Sequence, residues 1–297
     1  MQAGAIRAAL ESELGLDVTG VSLTAGGDIN DAYRAETSIG PVFVKSSPAA
    51  QPGMFSDEAA GLAWLGEPGG VAVPGVIGVC DGDKAPRLLA LEWIDSGRLD
   101  VAGEEALGRG LAKIHAAGAP EFGATPLLGG GYANSPMRFN ELSLPNEAHD
   151  TWAEFYAENR LLPLARACEQ RGHFNLADLD LIERVAARLP KLAGPEEPPA
   201  RTHGDLWSGN ILPSADGTPY LIDPVAHGGH REVDLALLTV FGGPSRRCSD
   251  AYDEVFPRAA GHEEREQLWQ LAMILLHVYL FGDSYSEQAR AIARRYA

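Results

Sequence analysis

Short runs of apolar and β-branched residues, separated by polar turns, fill the first ninety positions and predict strands. The runs lie at 21–23, 32–35, 41–45, 76–79 and 88–91. Between the third and fourth runs, apolar residues at helical spacing share one face over 55–65 and predict a helix. The pattern therefore predicts a small five-stranded antiparallel sheet with one main helix.

Beyond residue 94 the apolar residues recur at the three- to four-residue spacing of amphipathic helices. We predict helices at 103–117, 150–169, 177–189, 233–240, 262–281 and 285–296. Short strands are expected at 211–212 and 220–222, around a turn at 215–218. The change of composition near 92–97 separates two expected domains, a β-rich lobe at 1–94 and a larger, mostly helical lobe at 95–297. The fold class is therefore α+β.

Charge narrows the set of partners. The 297 residues include 41 acidic and 24 basic side chains, which gives a formal net charge of −17. Binding to nucleic acid or to an anionic membrane depends on clustered lysine and arginine, so we expect neither partner. An acidic surface suits a cationic acceptor, although many soluble proteins are simply acidic.

The cysteines and the longest apolar stretch bear on the compartment. The cysteines, three in number, are far apart in sequence, which argues against a disulfide framework or a zinc site. The N-terminal residues 1–16 lack the basic start and apolar run of a signal peptide. The stretch 268–281 is too short to span a bilayer and carries Gln270 and His277. We expect a cytoplasmic protein, and a monomer.

The stretch 203–210, His-Gly-Asp-Leu-Trp-Ser-Gly-Asn, carries the clearest chemical signal. Asn210 follows Asp205 by five residues, and Asp223 follows Asn210 by thirteen. Phosphoryl transfer from ATP needs a carboxylate near the acceptor hydroxyl and oxygen ligands for Mg²⁺. We assign Asp205 as the general base and Asn210 and Asp223 as metal ligands. An isolated His-Gly-Asp would be interpreted as a turn or a helix cap, but Asn210 and Asp223 at the two matching spacings favour a kinase.

The same spacing occurs in the catalytic loop of protein kinases, with glycine here in place of arginine. We therefore predict a protein-kinase-like two-lobed fold. Pro224, after Asp223, should stiffen the turn that carries the metal aspartate. Lys45, at the end of an apolar strand, is the expected contact to the α- and β-phosphates, and Glu58 in the following helix is its expected ion-pair partner.

Two further segments are expected to hold the nucleotide. The loop between the first two strands contains residues that permit close backbone approach to phosphate: Gly26, Gly27, Asp28, Ile29 and Asn30. Backbone groups of Glu92 and Ile94 are candidates for hydrogen bonds to adenine, although apolar packing at a strand end would explain the same residues.

His227 and His230 flank two glycines, with Glu232 and Asp234 nearby. A transition-metal site is one interpretation, but the glycines favour a loop, and no third ligand is fixed in geometry. Asp234 is expected either to cap the following helix or to brace the catalytic loop.

Motifs along nearly the whole chain resemble the fructosamine (ketosamine-3) kinase family. They include 203–210, 26–30, 43–45, 222–224 and 229–232, together with Asp234 and His277. Aminoglycoside phosphotransferases and choline kinases share His-Gly-Asp and the asparagine, but rarely the Leu-Trp-Ser-Gly between them. The resemblance implies ATP- and Mg²⁺-dependent phosphorylation of the 3-hydroxyl of ketosamines. Ribulosamine, erythrulosamine and fructosamine adducts of amines and protein lysines are the implied acceptors.

The resemblance also implies that Trp207 lies beside the sugar and that His277 lines the acceptor pocket. Core packing remains an alternative for both side chains. The segment 124–148 matches the family poorly and could contact the acceptor. An aminoglycoside or other small-molecule phosphotransferase on the same fold therefore stays open. A non-catalytic nucleotide-binding module is disfavoured, because Lys45, Asp205, Asn210 and Asp223 are all present.

Overall fold

The computed structural model describes residues 3–24, 31–82, 86–139 and 141–297. Its N-terminal part begins with helix α1 (Ala3–Leu14) and contains β1 (Val18–Leu23), β2 (Asp31–Thr37), β3 (Gly40–Ser46), helix α2 (Met54–Gly66), β4 (Val76–Cys80) and β5 (Leu88–Glu92). These strands form one antiparallel sheet in the order β1-β2-β3-β5-β4. The predicted five-stranded sheet and its main helix are confirmed.

Strand β5 explains why both faces of this sheet are covered. Successive side chains of a strand point to opposite faces. Leu88 and Ala90 pack in the cluster that includes α1, whereas Leu89 and Leu91 pack in the cluster that includes α2. The apolar run in β5 is therefore continuous rather than alternating. Helix α1 was not predicted, and its buried residues Ile6, Ala9 and Leu10 cover the second face.

The remainder of the chain is mostly helical. In order it contains α3 (Val101–Ala116), β6 (Thr125–Pro126), β7 (Tyr132–Ala133), β8 (Met137–Phe139), β9 (Leu142–Leu144), α4 (Trp152–Tyr156), α5 (Leu162–Gln170), α6 (Leu176–Leu192), β10 (Ala200–Thr202), β11 (Ile211–Pro213), β12 (Pro219–Leu221), β13 (His227–Gly229), α7 (Arg231–Val240), α8 (Arg246–Val255), α9 (His262–Phe281) and α10 (Ser286–Tyr296). The predicted α+β fold class is confirmed.

Two of the differences from the prediction concern helices. The single helix expected over 150–169 is interrupted by a π-helical turn, Ala157–Leu161, which separates α4 from α5. Helix α8 was not predicted, because only Cys248, Ala251 and Tyr252 form its buried face and the remaining positions are mostly polar. It packs against α3, so tertiary contact stabilises a helix whose apolar stripe is short.

Two small antiparallel ladders flank the candidate catalytic loop, residues 203–210, which is called the catalytic loop below. Strand β10 pairs with β13, and β11 pairs with β12. The loop that contains Asp205 lies between β10 and β11, and Asp223 lies between β12 and β13. Pairing of the flanking strands therefore brings the two aspartates to the same end of these ladders.

The proposed division between residues 94 and 95 falls in the segment that joins β5 to α3, and it stays a prediction. Within the described residues, no helix combines the length and the apolar character needed to cross a lipid bilayer.

Candidate active site

A buried carboxylate on α7 fixes the backbone at the start of the catalytic loop. Asp234 accepts hydrogen bonds from the backbone N–H groups of His203 at 2.6 Å and Gly204 at 3.0 Å. His115 Nε2 lies 3.3 Å from the same carboxylate, and its Nδ1 lies 2.9 Å from the Tyr252 hydroxyl. Burial alone would raise the pKa of Asp234, but the His115 contact and the backbone donors lower it. Asp234 thus braces the loop, one of its two expected roles, whereas His230 caps α7.

The sequence His-Gly at 203–204 is dictated by this loop. Gly204 has a φ of 83°, and a Cβ there would lie 2.2 Å from the carbonyl oxygen of Val225. His203 Nε2 lies 3.0 Å from the Ile222 carbonyl oxygen, and the Asp205 N–H donates to its Nδ1 at 3.2 Å. Because a carbonyl only accepts, Nε2 carries the proton. Burial lowers the pKa of His203, so a neutral imidazole connects the loop to Ile222, the residue between β12 and Asp223.

Asp205 and Asn210 are in direct contact. Asn210 Nδ2 donates to the Asp205 backbone oxygen at 2.8 Å and to its Oδ2 at 3.0 Å. This orientation turns the Asn210 amide oxygen away from Asp205. Burial raises the pKa of Asp205 to about 6, even though the hydrogen bond from Asn210 lowers it; the negative charge of Asp223 raises it further. The charge of Asp223 thus acts on Asp205, so the two aspartates lie near each other.

Asp223 adopts a backbone conformation that side chains rarely take. Its φ is 55°, and among the described residues it is the only non-glycine with a positive φ. Pro224 follows it directly. Such a conformation persists only where the surroundings impose it, and it is often found at functional sites. Here Lys45 Nζ binds Asp223 Oδ1 at 3.0 Å.

Lys45 and Glu58 form a buried ion pair of 2.9 Å between Nζ and Oε2. Burial alone would lower the pKa of Lys45, but the carboxylates of Glu58 and Asp223 raise it well above its ordinary value. Burial raises the pKa of Glu58 to about 6, against the opposing effect of the Lys45 charge. Glu58 Oε1 is buried without a hydrogen-bond partner among the described residues. Lys45 thus connects Glu58 of α2 to Asp223, which follows β12.

Two further segments were predicted to contact the nucleotide. The first lies outside the described residues, and its predicted members are Gly26, Gly27, Asp28, Ile29 and Asn30. The Glu92 N–H donates to the Gly75 carbonyl oxygen at 2.8 Å, so this group is already engaged. Of the predicted adenine contacts, the Glu92 carbonyl and the backbone of Ile94 remain as candidates.

Five aromatic side chains form a connected cluster beside the catalytic loop, and we call it the aromatic cluster. The Trp207 and Phe241 rings are 6.1 Å apart between centroids, and Phe241 is 4.8 Å from His277. His277 in turn lies 5.4 Å from Phe281 and 5.0 Å from Tyr285. Phe241 is 39% exposed and Phe281 63% exposed, so the cluster opens to solvent. The structure thus places the two predicted acceptor residues, Trp207 and His277, in one surface.

His277 is oriented by its own helix. Its Nδ1 lies 2.9 Å from the Met273 carbonyl oxygen, which requires the proton on Nδ1 and leaves Nε2 as an acceptor. Burial lowers the pKa of His277, so the ring is neutral near pH 7. Phe241, Tyr252 and Tyr285 were not identified from the sequence as parts of the site. Phe241 contacts Trp207 and His277, and Tyr252 contacts His115, at sequence separations that no local pattern signals. Tyr285 follows His277 by eight residues, but it lies beyond the end of α9.

The histidines at 227 and 230 have structural contacts. His227 is buried, with Nδ1 2.9 Å from the Val225 carbonyl oxygen, and His230 Nδ1 accepts the Glu232 N–H at 3.2 Å. Burial lowers the pKa of each to about 4. Among the described residues, no group of three His, Cys, Asp or Glu side chains is arranged to hold a metal. The pair of Asp223 and Asn210 suits Mg²⁺, which takes few protein ligands and completes its shell with phosphate and water.

The divergent segment 124–148 forms two short hairpins, β6–β7 and β8–β9. Met137, Leu142 and Leu144 of the second hairpin pack in the main helical core. Strand β6 packs against α2, and Tyr132 in β7 contacts Trp64 of that helix. The first hairpin therefore contacts the helix that carries Glu58, and a contact of this segment with the acceptor stays a prediction.

Comparison with known proteins agrees with this geometry. The fructosamine kinase family matches residues 3–297. A "probable ketoamine kinase" of Synechocystis sp. is 34% identical over 275 residues, covering 91% of this chain and 88% of the relative. The protein-ribulosamine 3-kinase of Arabidopsis thaliana, a chloroplastic protein, is 32% identical and covers 94% of this chain and 83% of its own.

Solved structures show the same relationship. The "putative fructosamine-3-kinase" of Thermobifida fusca superimposes with a TM-score of 0.88 at 41% identity, covering 99% of both chains. Choline kinase LicA of Streptococcus pneumoniae has a TM-score of 0.64 at 16% identity over 98% of both chains, which shows the shared fold alone. The predicted protein-kinase-like fold is confirmed. The chain belongs to the fructosamine kinase family, and it is an ATP-dependent phosphotransferase.

Proposed function

We propose that this protein phosphorylates O3 of ketosamines, the adducts of ketoses with amines, and uses ATP as the phosphoryl donor. Ribulosamine, erythrulosamine and fructosamine adducts of free amines or of protein lysines are the acceptor class. The observation that carries the proposal is the continuous polar array from Glu58 through Lys45 to Asp223, together with the hydrogen-bonded pair of Asp205 and Asn210, which lies near enough for the charges of Asp223 and Lys45 to act on Asp205.

Asp205 is proposed as the general base. Its pKa of about 6 leaves the carboxylate mostly ionised at pH 7, and it makes the group a stronger base than an ordinary aspartate. As the acceptor oxygen forms its bond to the γ-phosphorus, the proton of the hydroxyl passes to Asp205. The bond between the γ-phosphorus and the bridging oxygen breaks, and ADP leaves with that oxygen. The hydrogen bond from Asn210 restricts the orientation of the base.

Asn210 and Asp223 are proposed to hold Mg²⁺, since both present oxygen atoms and the positive φ of Asp223 fixes its direction. When bound, the metal neutralises charge on the β- and γ-phosphates. Lys45, held by Glu58, is proposed to contact the α- and β-phosphates. The Glu92 carbonyl and the Ile94 N–H are the proposed adenine contacts, and the segment 26–30 is proposed to cover the phosphates.

The aromatic cluster is the proposed acceptor surface. Aromatic faces pack against the C–H face of a sugar and attract an ammonium group, and a ketosamine supplies both. His277 Nε2, an acceptor, can receive a hydrogen bond from a hydroxyl or from the amine. The backbone N–H of Trp207 donates to the Asp205 carbonyl oxygen at 3.1 Å, so the proposed acceptor surface includes a residue of the loop that carries the proposed base.

The test is an assay for ATP- and Mg²⁺-dependent phosphorylation of ribulose-, erythrulose- and fructose-modified lysine, with kanamycin in parallel. We expect transfer to at least one ketosamine and none to kanamycin. The Asp205→Asn variant should lose turnover while it keeps ATP binding. Transfer to the aminoglycoside with none to any ketosamine would refute the proposal and support an aminoglycoside phosphotransferase. A variant that retains most of its rate would refute the role of Asp205.

A further inference from the structure

Helix α2, which carries Glu58, lies directly against the C-terminal part of the chain. A Cβ at Gly61 would lie 3.1 Å from the Cβ of Ala226 and 3.3 Å from the Cγ of Pro224. The helix therefore touches the segment that follows Asp223, and the absence of a side chain at residue 61 allows this approach. The position of α2 is thus coupled to the residues around the proposed metal site.

One turn further along, Trp64 is held from two sides. Its Nε1 donates to the Tyr132 hydroxyl at 3.2 Å, and the Tyr132 ring meets it edge-on with centroids 5.9 Å apart. The Arg201 guanidinium lies 4.7 Å from the centre of the Trp64 ring. Trp64 is 5% exposed and also belongs to the buried apolar cluster that includes Val71 and Leu107.

Arg201 also secures the end of α2. It donates to the Trp64 carbonyl oxygen at 2.6 Å and to the Glu67 carboxylate at 2.8 Å. The last four carbonyls of a helix have no partner within the helix, so this contact satisfies one of them. Arg201 lies in β10, two residues before His203. The end of α2 is therefore attached to the strand that leads into the catalytic loop.

We infer that Tyr132, acting with Arg201, is a positioning residue that holds α2 where Glu58 meets Lys45. The contact joins β7 of the divergent segment to the helix whose glutamate orients the phosphate-binding lysine. Loss of the contact lets α2 tilt, which weakens the Lys45–Glu58 pair and so the hold on ATP, and it leaves the acceptor surface unchanged. The inference rests on the proposed role of that ion pair.

The first experiment compares three variants. Tyr132→Phe removes the hydroxyl and keeps the ring, Tyr132→Ala removes both, and Leu128→Ala is the matched control. Leu128 lies near the tip of the same hairpin and is 56% exposed. Loss of one hydrogen bond and one aromatic contact should lower kcat/KM for ATP by about three- to tenfold in Tyr132→Ala. Tyr132→Phe should show a smaller loss, and Leu128→Ala none; the KM of the acceptor should stay constant.

The second experiment separates positioning from general stability. The Tyr132→Ala change is repeated in a Glu58→Gln background. If Tyr132 acts through Glu58, Tyr132→Ala has little further effect on ATP affinity once Glu58 has been replaced. Fully multiplicative losses, or an effect of Tyr132→Ala no larger than that of Leu128→Ala, would overturn the inference.

Calorimetric titration with ATP gives the same comparison without an acceptor. A failure to find any phosphorylated ketosamine would therefore count against the proposed function and leave this test intact. If Tyr132→Ala does not fold, as judged by circular dichroism, Tyr132→Phe alone decides the outcome through its ATP affinity relative to Leu128→Ala.

Discussion

Replacing the proposed base with its uncharged isostere should make the protein more stable while it abolishes activity. Asp205 is largely enclosed and lies near the negative charges of Asp223 and Asp234. In Asp205→Asn the side-chain oxygen can still accept the hydrogen bond from Asn210. The substitution therefore removes an unfavourable charge and keeps the principal contact of the side chain.

The magnitude follows from the pKa. The pKa of this carboxyl is 3.8 in the reference state and about 6 in the folded protein. That difference corresponds to roughly 3 kcal/mol, and partial exposure of the side chain reduces the expected gain to about 1–3 kcal/mol. Below pH 3.8 the carboxyl is protonated in both states, so the charge costs nothing. The cost to folding grows as the pH rises from 3.8 to 6, and it is complete above pH 6.

The assay is urea unfolding of the wild type and Asp205→Asn at several pH values between 4.5 and 8. We expect the variant to have the larger free energy of unfolding at pH 8, with the advantage shrinking towards pH 4.5. Asp216→Asn is the control, because it makes the same charge change in an exposed turn. Hydrogen bonds lower the pKa of Asp216, so its replacement should reduce stability at pH 8. Equal stability of wild type and Asp205→Asn at pH 8, or an advantage that grows in acid, would refute the reasoning.

Three further outcomes are expected. First, kcat/KM should fall by more than tenfold per pH unit below pH 6, because Asp205 and Glu58 both have pKa values of about 6 and both must be ionised. In Glu58→Gln the decrease should be tenfold per pH unit. A kcat/KM that stays constant from pH 5 to 7 would contradict this expectation. Second, Gly204→Ala should lose roughly 2 kcal/mol or more of stability and most activity, since its Cβ meets a backbone oxygen at 2.2 Å. Gly129→Ala, with a φ of 93° and open space around the Cβ, should cost less in a thermal melt. Third, Trp207→Ala should raise the KM of the acceptor about tenfold or more and leave the KM of ATP within twofold, as measured by steady-state kinetics; a change in both would indicate core packing instead.

The catalytic loop shows how far local sequence information reaches. The spacings among Asp205, Asn210 and Asp223 predicted a kinase, and the family relationship confirms that class. Gly204 could be recognised from the sequence as part of the same motif. Glycine is required there because a Cβ would collide with the carbonyl oxygen of Val225, which lies in the segment between β12 and β13. Which atoms crowd a backbone position depends on how distant segments pack.

Some secondary-structure elements could be predicted from the sequence and others could not. Strands β1–β5 and the helices with long apolar stripes were predicted, because their buried positions recur at regular spacing in the sequence. Helix α8 and the hairpins of 124–148 were missed, because they are short, polar or rich in glycine and depend on contacts with α3, α2 and the helical core.

By itself the sequence determined the fold class and the enzyme class, and it supplied the residues of the candidate site. Tertiary structure alone decided the properties of those groups. The pKa of Asp205 is set by burial and by the charge of Asp223, and Lys45 is held by carboxylates from α2 and from the segment after β12. The contact between Trp64 and Tyr132 likewise joins residues 68 positions apart. Burial and long-range contact arise only when the chain has folded, so no local pattern records them.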